Sequence, residues 1–578
     1  MKTPAPDLRL WRTRVLGVGF FAALAALGLR AQETAQNAIA LPPFLVEAKG
    51  TGRPWRYARS PEFEILSRVP DATTRDIARS YHRLHRLLDV VLPEQFQVKF
   101  DVPKTLIVYD ESLLPSTTAA IFAEARAAGS APTPGSGSLG SRVHSVLRNP
   151  RLCDLDVMTV FVAVPPETFY ADSAAPMAVD NNRIVYRDYR QGWTSLTPNY
   201  VDYLVTQRTP PLPTWFVSGF TDLYRKMHFS NDAIEVGTLT WLSESETRAL
   251  RRSGIAPALL PLGKFFTGPM TDAREASLWF AQAELLVRWA LADQKGEWRA
   301  PFWKFLERCS TEPAGETLFQ ECFGFDFAHA ENLLKQSLMT SIARAIAWHA
   351  EGSTTLMISF RDATPSEIGR IKGDWERMAT GYVRSNSPAL ETPYLDQARR
   401  TFQRAYGRGE RDAGLLAAMG LCEFEAGNEA IAREHLESAL QAQVARPRAY
   451  LELARLRLVE RRTKLATSLA KLDSEQTRYV LEPLLIASRQ SPPLPQVFEL
   501  IADVWGASAN PPQRADFAVL EEGIRFFPRN TTLLLQTARL YRAQNFSDDA
   551  DRLATLGLRA APGDGTREQL RQLLKPQP

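Results

Sequence analysis

Cysteine is scarce, with four in 578 residues: Cys153, Cys309, Cys322 and Cys422. No two form a C-x-x-C pair, which argues against a structural zinc site. Cys422 falls within a helical pattern and reads as a small core residue, while Cys309 and Cys322 stay open as either a disulfide or two thiols. Histidine numbers only seven. His82 and His85 lie three apart on one helix face with no acidic or cysteine ligand in register, so they read as paired surface histidines and not as a metal site. No G-x-S-x-G elbow or P-loop is present, and charge of one sign is also lacking. Sixty-nine Lys and Arg against 65 Asp and Glu leave a net charge of +4, with no Lys/Arg run, which gives no ground for a nucleic-acid partner. Gly135-Ser136-Gly137-Ser138-Leu139-Gly140 has the spacing of a dinucleotide turn, but Pro132 and Pro134 stand where the preceding strand must be. It reads as part of a loop at 131–141.

Long apolar runs are missing too, with one exception. Lys2, Arg9, Arg12 and Arg14 precede fifteen largely apolar residues, Val15 to Leu29, and then Arg30-Ala31. This is the pattern of a secretory signal peptide cleaved near Ala31, placing the mature chain in the periplasm or outside the cell. The alternative is an uncleaved anchor, for which fifteen residues are short. With the signal removed, no stable membrane span is expected, and residues 32–54 read as a linker.

What is present is ordinary globular patterning. Phe63 to Ser67 alternates as a strand, Asp71-Ala72-Thr73-Thr74 caps a helix running to about Val91, and Thr105 to Tyr109 is a second strand. Met158 to Val164 is a strong strand, Arg183 to Tyr186 a sheet edge, and Ala233 to Gly237 a further strand.

The chain turns on Pro198 to Tyr224, two helices joined by a Pro-rich arm, the second opening Leu212-Pro213-Thr214-Trp215-Phe216-Val217-Ser218-Gly219. This stretch resembles the active-site region of the peptidase-MA-like zinc proteases, a gluzincin type. There the first helix carries H-E-x-x-H and the second opens L-P-x-W-x-x-E-G. The helix Phe280 to Trp289 is similar to the one that packs behind that family's zinc helix, and the likeness spans about residues 55–340. Laid onto this chain, the first histidine falls on Pro198, the general base on Asn199, the second histidine on Asp202 and the third ligand on Ser218. Proline cannot bind zinc, and asparagine cannot take a proton from water at neutral pH. Asp202 with Asp222 offers two carboxylates, too few to hold a hard cation. The resemblance therefore implies a degenerate site with no metal and no cofactor.

Beyond residue 391 the pattern is helical with a 34-residue period, the length of a tetratricopeptide repeat. Ala398, Phe402 and Ala405 recur as Ala432, Leu436 and Ala439; Leu416, Met419 and Gly420 recur as Tyr450, Leu453 and Ala454. Gly523 and Pro528 recur as Gly557 and Pro562, and the period breaks between about 461 and 493 and again at Asn510-Pro511-Pro512. The expected fold is thus an α+β, gluzincin-like domain at 55–340 with a small mixed sheet, a helical junction at 341–391, and an all-α tetratricopeptide-like domain at 392–578. The expected function is that of an exported pseudo-metalloprotease, not an enzyme, which binds a peptide or protein through its vestigial cleft, its repeat groove or both. The rival readings are a hydrolase with a rearranged metal site and a purely structural envelope scaffold.

Overall fold

The computed structural model describes residues 53–93, 100–110, 151–164, 179–180, 183–184, 203–206, 208–229, 233–253, 258–268, 270, 272–291, 296–349, 356–386, 388–464, 471–560 and 564–574. Residues 53–578 form one compact unit. Its centre is a six-stranded sheet. Strands β1 (Arg56–Arg59), β2 (Glu64–Ser67), β3 (Thr105–Asp110), β4 (Arg151–Cys153) and β5 (Met158–Val164) are joined by a late strand, β11 (Arg361–Asp362), in the order β11-β1-β2-β3-β5-β4. The middle strands β2, β3 and β5 run parallel and the outer ones antiparallel.

Parallel strands are covered on both faces and so are apolar throughout. With a two-residue side-chain period, Ile65, Leu106, Val108, Val160 and Val162 enter one core, while Leu66, Ile107, Tyr109 and Phe161 enter another. On the first face lies α1 (Asp71–Val91), whose Ile77, Ala78 and Tyr81 are buried. Among the described residues, two short strands, β6 (Val179–Asp180) and β7 (Arg183–Ile184), pair with each other in a sheet of their own, and the remainder of the edge strand expected at Arg183 to Tyr186 lies outside the described residues.

The same core continues into helices α2 (Thr214–Arg225), α4 (Leu262–Phe265), α5 (Ala273–Leu291), α6 (Arg299–Arg308), α7 (Glu316–Phe323) and α8 (Phe327–Ala343), with the polar helix α3 (Glu244–Ser253) between α2 and α4 in the chain. Aromatic rings fill it: the Trp215 ring centroid lies 5.5 Å from Phe266 and 6.0 Å from Phe302. A three-stranded sheet, β8 (Met227–Phe229), β9 (Ala233–Val236) and β10 (Ile346–His349), runs in the order β10-β9-β8.

The second face of the main sheet is sealed by α9 (Pro365–Asn386), where Ile371, Trp375, Met378 and Val383 are buried, and Trp375 stacks on Phe161 at 4.9 Å. Its other side opens a helical array. The helices that follow are α10 (Glu391–Gly407), α11 (Ala413–Glu425), α12 (Glu429–Gln441), α13 (Pro447–Thr463), α14 (Ser474–Ala487), α15 (Pro495–Ala507), α16 (Phe517–Phe526), α17 (Thr531–Ala543), α18 (Ser547–Ala560) and α19 (Asp564–Leu574). They pack as successive hairpins, and small residues set the approach. A Cβ on Gly373 would lie 2.5 Å from the Phe402 ring, and one on Gly420 would lie 2.6 Å from Leu436. The residues that repeat at 34 positions occupy equivalent buried places, Ala398 and Phe402 on α10 against Ala432 and Leu436 on α12. A hairpin persists where the sequence period breaks, since α14 packs on α13 through the Arg457 Nη1 bond to the Tyr479 carbonyl at 2.9 Å. What changes there is the length of the connection. Among the described residues, no helix is long and apolar enough to cross a membrane.

Candidate functional site

Helix α2 starts at Thr214 because Pro213, with φ at −59°, supplies the turn into it and has no N–H to satisfy. Trp215, Phe216, Phe220 and Leu223 point into the aromatic core. Ser218 and Asp222 follow each other at i and i+4 on a half-buried side, and Lys226 caps the helix one turn later. Gly219 is where α2 crosses α5: a Cβ there would stand 2.3 Å from the Ala283 carbonyl oxygen.

That crossing assembles charge. Lys226 Nζ donates to Glu284 Oε2 at 2.6 Å and to Oε1 at 2.7 Å. Burial pushes the Glu284 carboxyl above its ordinary range, with Lys226 pulling it back. One turn on, Arg288 is buried and donates from Nη2 to the Gly237 carbonyl at 2.6 Å, while its Nε and Nη1 have no hydrogen-bond partner. Burial lowers this guanidinium's pKa, against Glu284, which raises it. The arrangement is one ion pair, Lys226 with Glu284, beside a buried arginine, and not a ligand set. Among the described residues, no three His, Cys, Asp or Glu side chains come together as metal ligands would. Of the positions singled out in the sequence, Ser218 is half-buried on α2, while Pro198, Asn199, Asp202 and the 131–141 loop lie outside the described residues.

Two other sequence readings fall on described residues. His82 is not a free surface histidine: its Nδ1 lies 2.7 Å from Glu62 Oε1, and His85 packs edge-on against Phe63. Burial depresses the His85 pKa to about 3, and Lys104 and His82 act in the same direction. All four cysteines are thiols, with Cys309 buried and Cys322 half-buried.

The most elaborate constellation was not legible as a site. Where the sheet meets the array, the turn between β4 and β5 places Asp154 and Asp156 among Arg377 of α9, Glu425 of α11, and Arg446 and Arg448 at the start of α13. Arg446 Nε reaches Asp156 Oδ1 at 3.1 Å and its Nη1 reaches Asp374 Oδ2 at 2.9 Å. Arg448 Nη1 donates to Asp154 Oδ1 at 2.5 Å, and its backbone N–H donates to Asp156 Oδ2 at 2.8 Å. Arg377 is 1% exposed and Asp156 is fully buried, so these are interior charges. Burial alone raises the Asp154 carboxyl, but Arg377, Arg448 and Arg446 hold it far below the usual carboxylate range. The sequence signal was Arg446-Pro447-Arg448, two arginines around a helix-opening proline. Further along the array edge, Ser491 N–H donates to Asp101 Oδ2 at 2.7 Å, and Arg529 Nη2 donates to the Cys309 carbonyl at 2.5 Å. Three successive loops between hairpins therefore dock on the part of the molecule that precedes the array, two beside the main sheet and one at the end of α6.

No protein-family model matches the chain, and no curated protein matches it. Solved structures with similar helices include a thermophilic TPR protein of Thermus thermophilus, at 17% identity over 34% of this chain and 97% of that one, with a TM-score of 0.23. YrrB, described as a TPR protein with an unusual peptide-binding site, is similar at 12% identity over 36% of this chain and 95% of its own, TM-score 0.26. PilF of Pseudomonas aeruginosa is similar at 16% identity over 36% and 90%, TM-score 0.24. TM-scores this low carry no argument, and the tetratricopeptide-like character of the array rests on its own hairpins and their 34-residue spacing.

Proposed function

We propose that this chain is an exported, non-catalytic protein-binding protein: a helical array that engages a peptide or protein partner, built onto a peptidase-MA-like domain whose zinc chemistry has been lost. The observation that carries the reading is the array itself, five helix pairs between Pro365 and Ala560 with α19 after them. Stacked hairpins of this kind present a continuous surface made from many short helices, suited to extended polypeptide and not to bond-making chemistry. The loss of chemistry is supported by the residue types at Pro198, Asn199, Asp202 and Ser218, of which only the aspartate is a competent ligand. The charge cluster behind Ser218, in which Lys226 holds Glu284, is in keeping with a relic stabilised by ion pairing. Export follows from the charged and then apolar N-terminus.

The test is native mass spectrometry of the full chain produced in zinc-supplemented medium, together with a chelator-controlled peptide hydrolysis assay. We expect the metal-free mass and no chelator-sensitive cleavage, and we expect the fourfold variant Pro198→His, Asn199→Glu, Asp202→His, Ser218→Glu to gain zinc. One zinc per native chain with chelator-sensitive hydrolysis overturns the reading.

A further inference from the structure

The 34-residue period breaks twice, ahead of α14 and at Asn510-Pro511-Pro512, and the fold brings the two breaks together. The Leu472 carbonyl accepts from the Ala509 N–H at 2.7 Å, and the Leu472 N–H donates to the Ala507 carbonyl at 2.9 Å. Buried Thr477 donates to Ser508 Oγ at 2.9 Å, and Asn510 Nδ2 donates to Ser474 Oγ at 2.6 Å. The segment after α15 is thus held as a fixed wall beside α14, and between them lies a solvent-open pocket of about 250 Å³. Its floor is apolar, Leu481 and Leu485, and beside it Ile486 is 37% exposed. Arg478 and Glu482 stand at its rim. Glu482 is committed to Arg457 Nη1 at 2.8 Å. Arg478 is exposed and has no carboxylate partner among the described residues, and the same holds for Arg489, eleven residues on. Eleven residues make three turns, about 16 Å, and return to nearly the same side of a helix. The cap residue Ser488 keeps αR geometry, so the path carries on to Arg489. This side of α14 therefore reads cation, apolar floor, cation.

We propose that this side of α14 is a docking groove for an amphipathic helix of a partner protein, which lays an apolar stripe over the pocket and sets a carboxylate against Arg478 and another against Arg489. The inference rests on the array's being a binding module and deepens that reading by naming the groove and the chemistry of its occupant. A helix suits the groove because the array itself grows by laying helix against helix, and rows of side chains on two such helices stay in step over three turns. The charges decide the sign of the partner. An acidic helix pairs two uncommitted guanidiniums, whereas a basic one brings like charge against them.

The experiment follows the fluorescence anisotropy of a rhodamine-labelled helical peptide, Glu-Ala-Ala-Leu-Ala-Gln-Leu-Leu-Ala-Gln-Leu-Glu, titrated with the full chain. Its leucines form one stripe, and its two glutamates have the spacing of Arg478 and Arg489. We expect saturable binding, at least about tenfold weaker when lysine replaces both glutamates, and lost when glutamine replaces the leucines. The variant Arg478→Glu/Arg489→Glu, with both changes at exposed positions, should invert the preference between the acidic and the lysine peptide. The same change of charge on α19, Arg567→Glu/Arg571→Glu, should leave the affinity within about twofold. Absence of saturable binding to the unaltered chain overturns the proposal, and so does an equal loss in the two reversal variants. If either result stands beside partner adducts from Ile431, Val459 or Arg539 in the native host, this groove falls and the binding role of the array does not.

Discussion

Gly219 shows how a single residue fixes the crossing of two helices. With the Ala283 carbonyl 2.3 Å from where its Cβ would stand, Gly219→Ala cannot be accommodated without moving α2 away from α5. We expect a loss of about 1–3 kcal/mol, the usual cost of overpacking, read as a lower midpoint in urea unfolding. Asp154 is the opposite case, a residue whose charge is needed. Its carboxyl is held ionised by three guanidiniums, so Asp154→Asn leaves buried cations underpaired and is expected to cost about 3–5 kcal/mol at pH 7. Because the folded carboxyl sits below its unfolded value near about 3.9, the stabilisation is present above that pH and is lost as pH falls towards the folded value. Asp374, where Arg446 and Arg377 outweigh burial, acts in the same sense. The difference in melting temperature between the native chain and Asp154→Asn should therefore be largest near neutrality and shrink below about pH 4. A difference that is constant from pH 7 to pH 3 would show that Asp154 is not ionised in the fold.

Among the elements, α9 has two jobs, and this sets what the sequence could reveal. One side presents Trp375 and Ile371 to the sheet, and the other presents Gly369 and Gly373 to α10. Trp375→Ala removes the ring stacked on Phe161 and is expected to cost about 3–5 kcal/mol, with a single cooperative transition retained because sheet and array share this helix. Two separate unfolding steps in the native chain would contradict that coupling. The helix and strands with clean periods were legible: Asp71 to Val91, and Met158 to Val164, stand where the residue pattern puts them. So were the hairpins at 392–458, since paired helices need small residues at fixed places and Gly420 and Ala454 supply them. The role of α9 was not legible, because a helix apolar on one side and glycine-lined on the other carries no 34-residue partner upstream. Nor was the Asp154 cluster, since charged residues beside a strand read as a solvated turn until the tertiary fold buries them. His82 was misread for the same reason, its partner Glu62 being twenty residues away.

At the scale of the whole molecule, the array is one compact unit with the sheet, fixed along one edge by Asp101, Asp154 and the Cys309 carbonyl. A partner must then meet the surfaces that this docking leaves open, where Ile431 and Val459 are about half exposed. A chain that works by binding on its helices must touch its partner there. The most direct measurement is a site-specific photo-cross-linking scan in the native host, with the photoreactive residue placed in the full chain at Ile431, Val459 or Arg539, and at Phe280 on α5 for comparison. A discrete protein adduct is expected from one or more of the three array positions and none from Phe280. Adducts from Phe280 alone, with all three array positions silent, would contradict it.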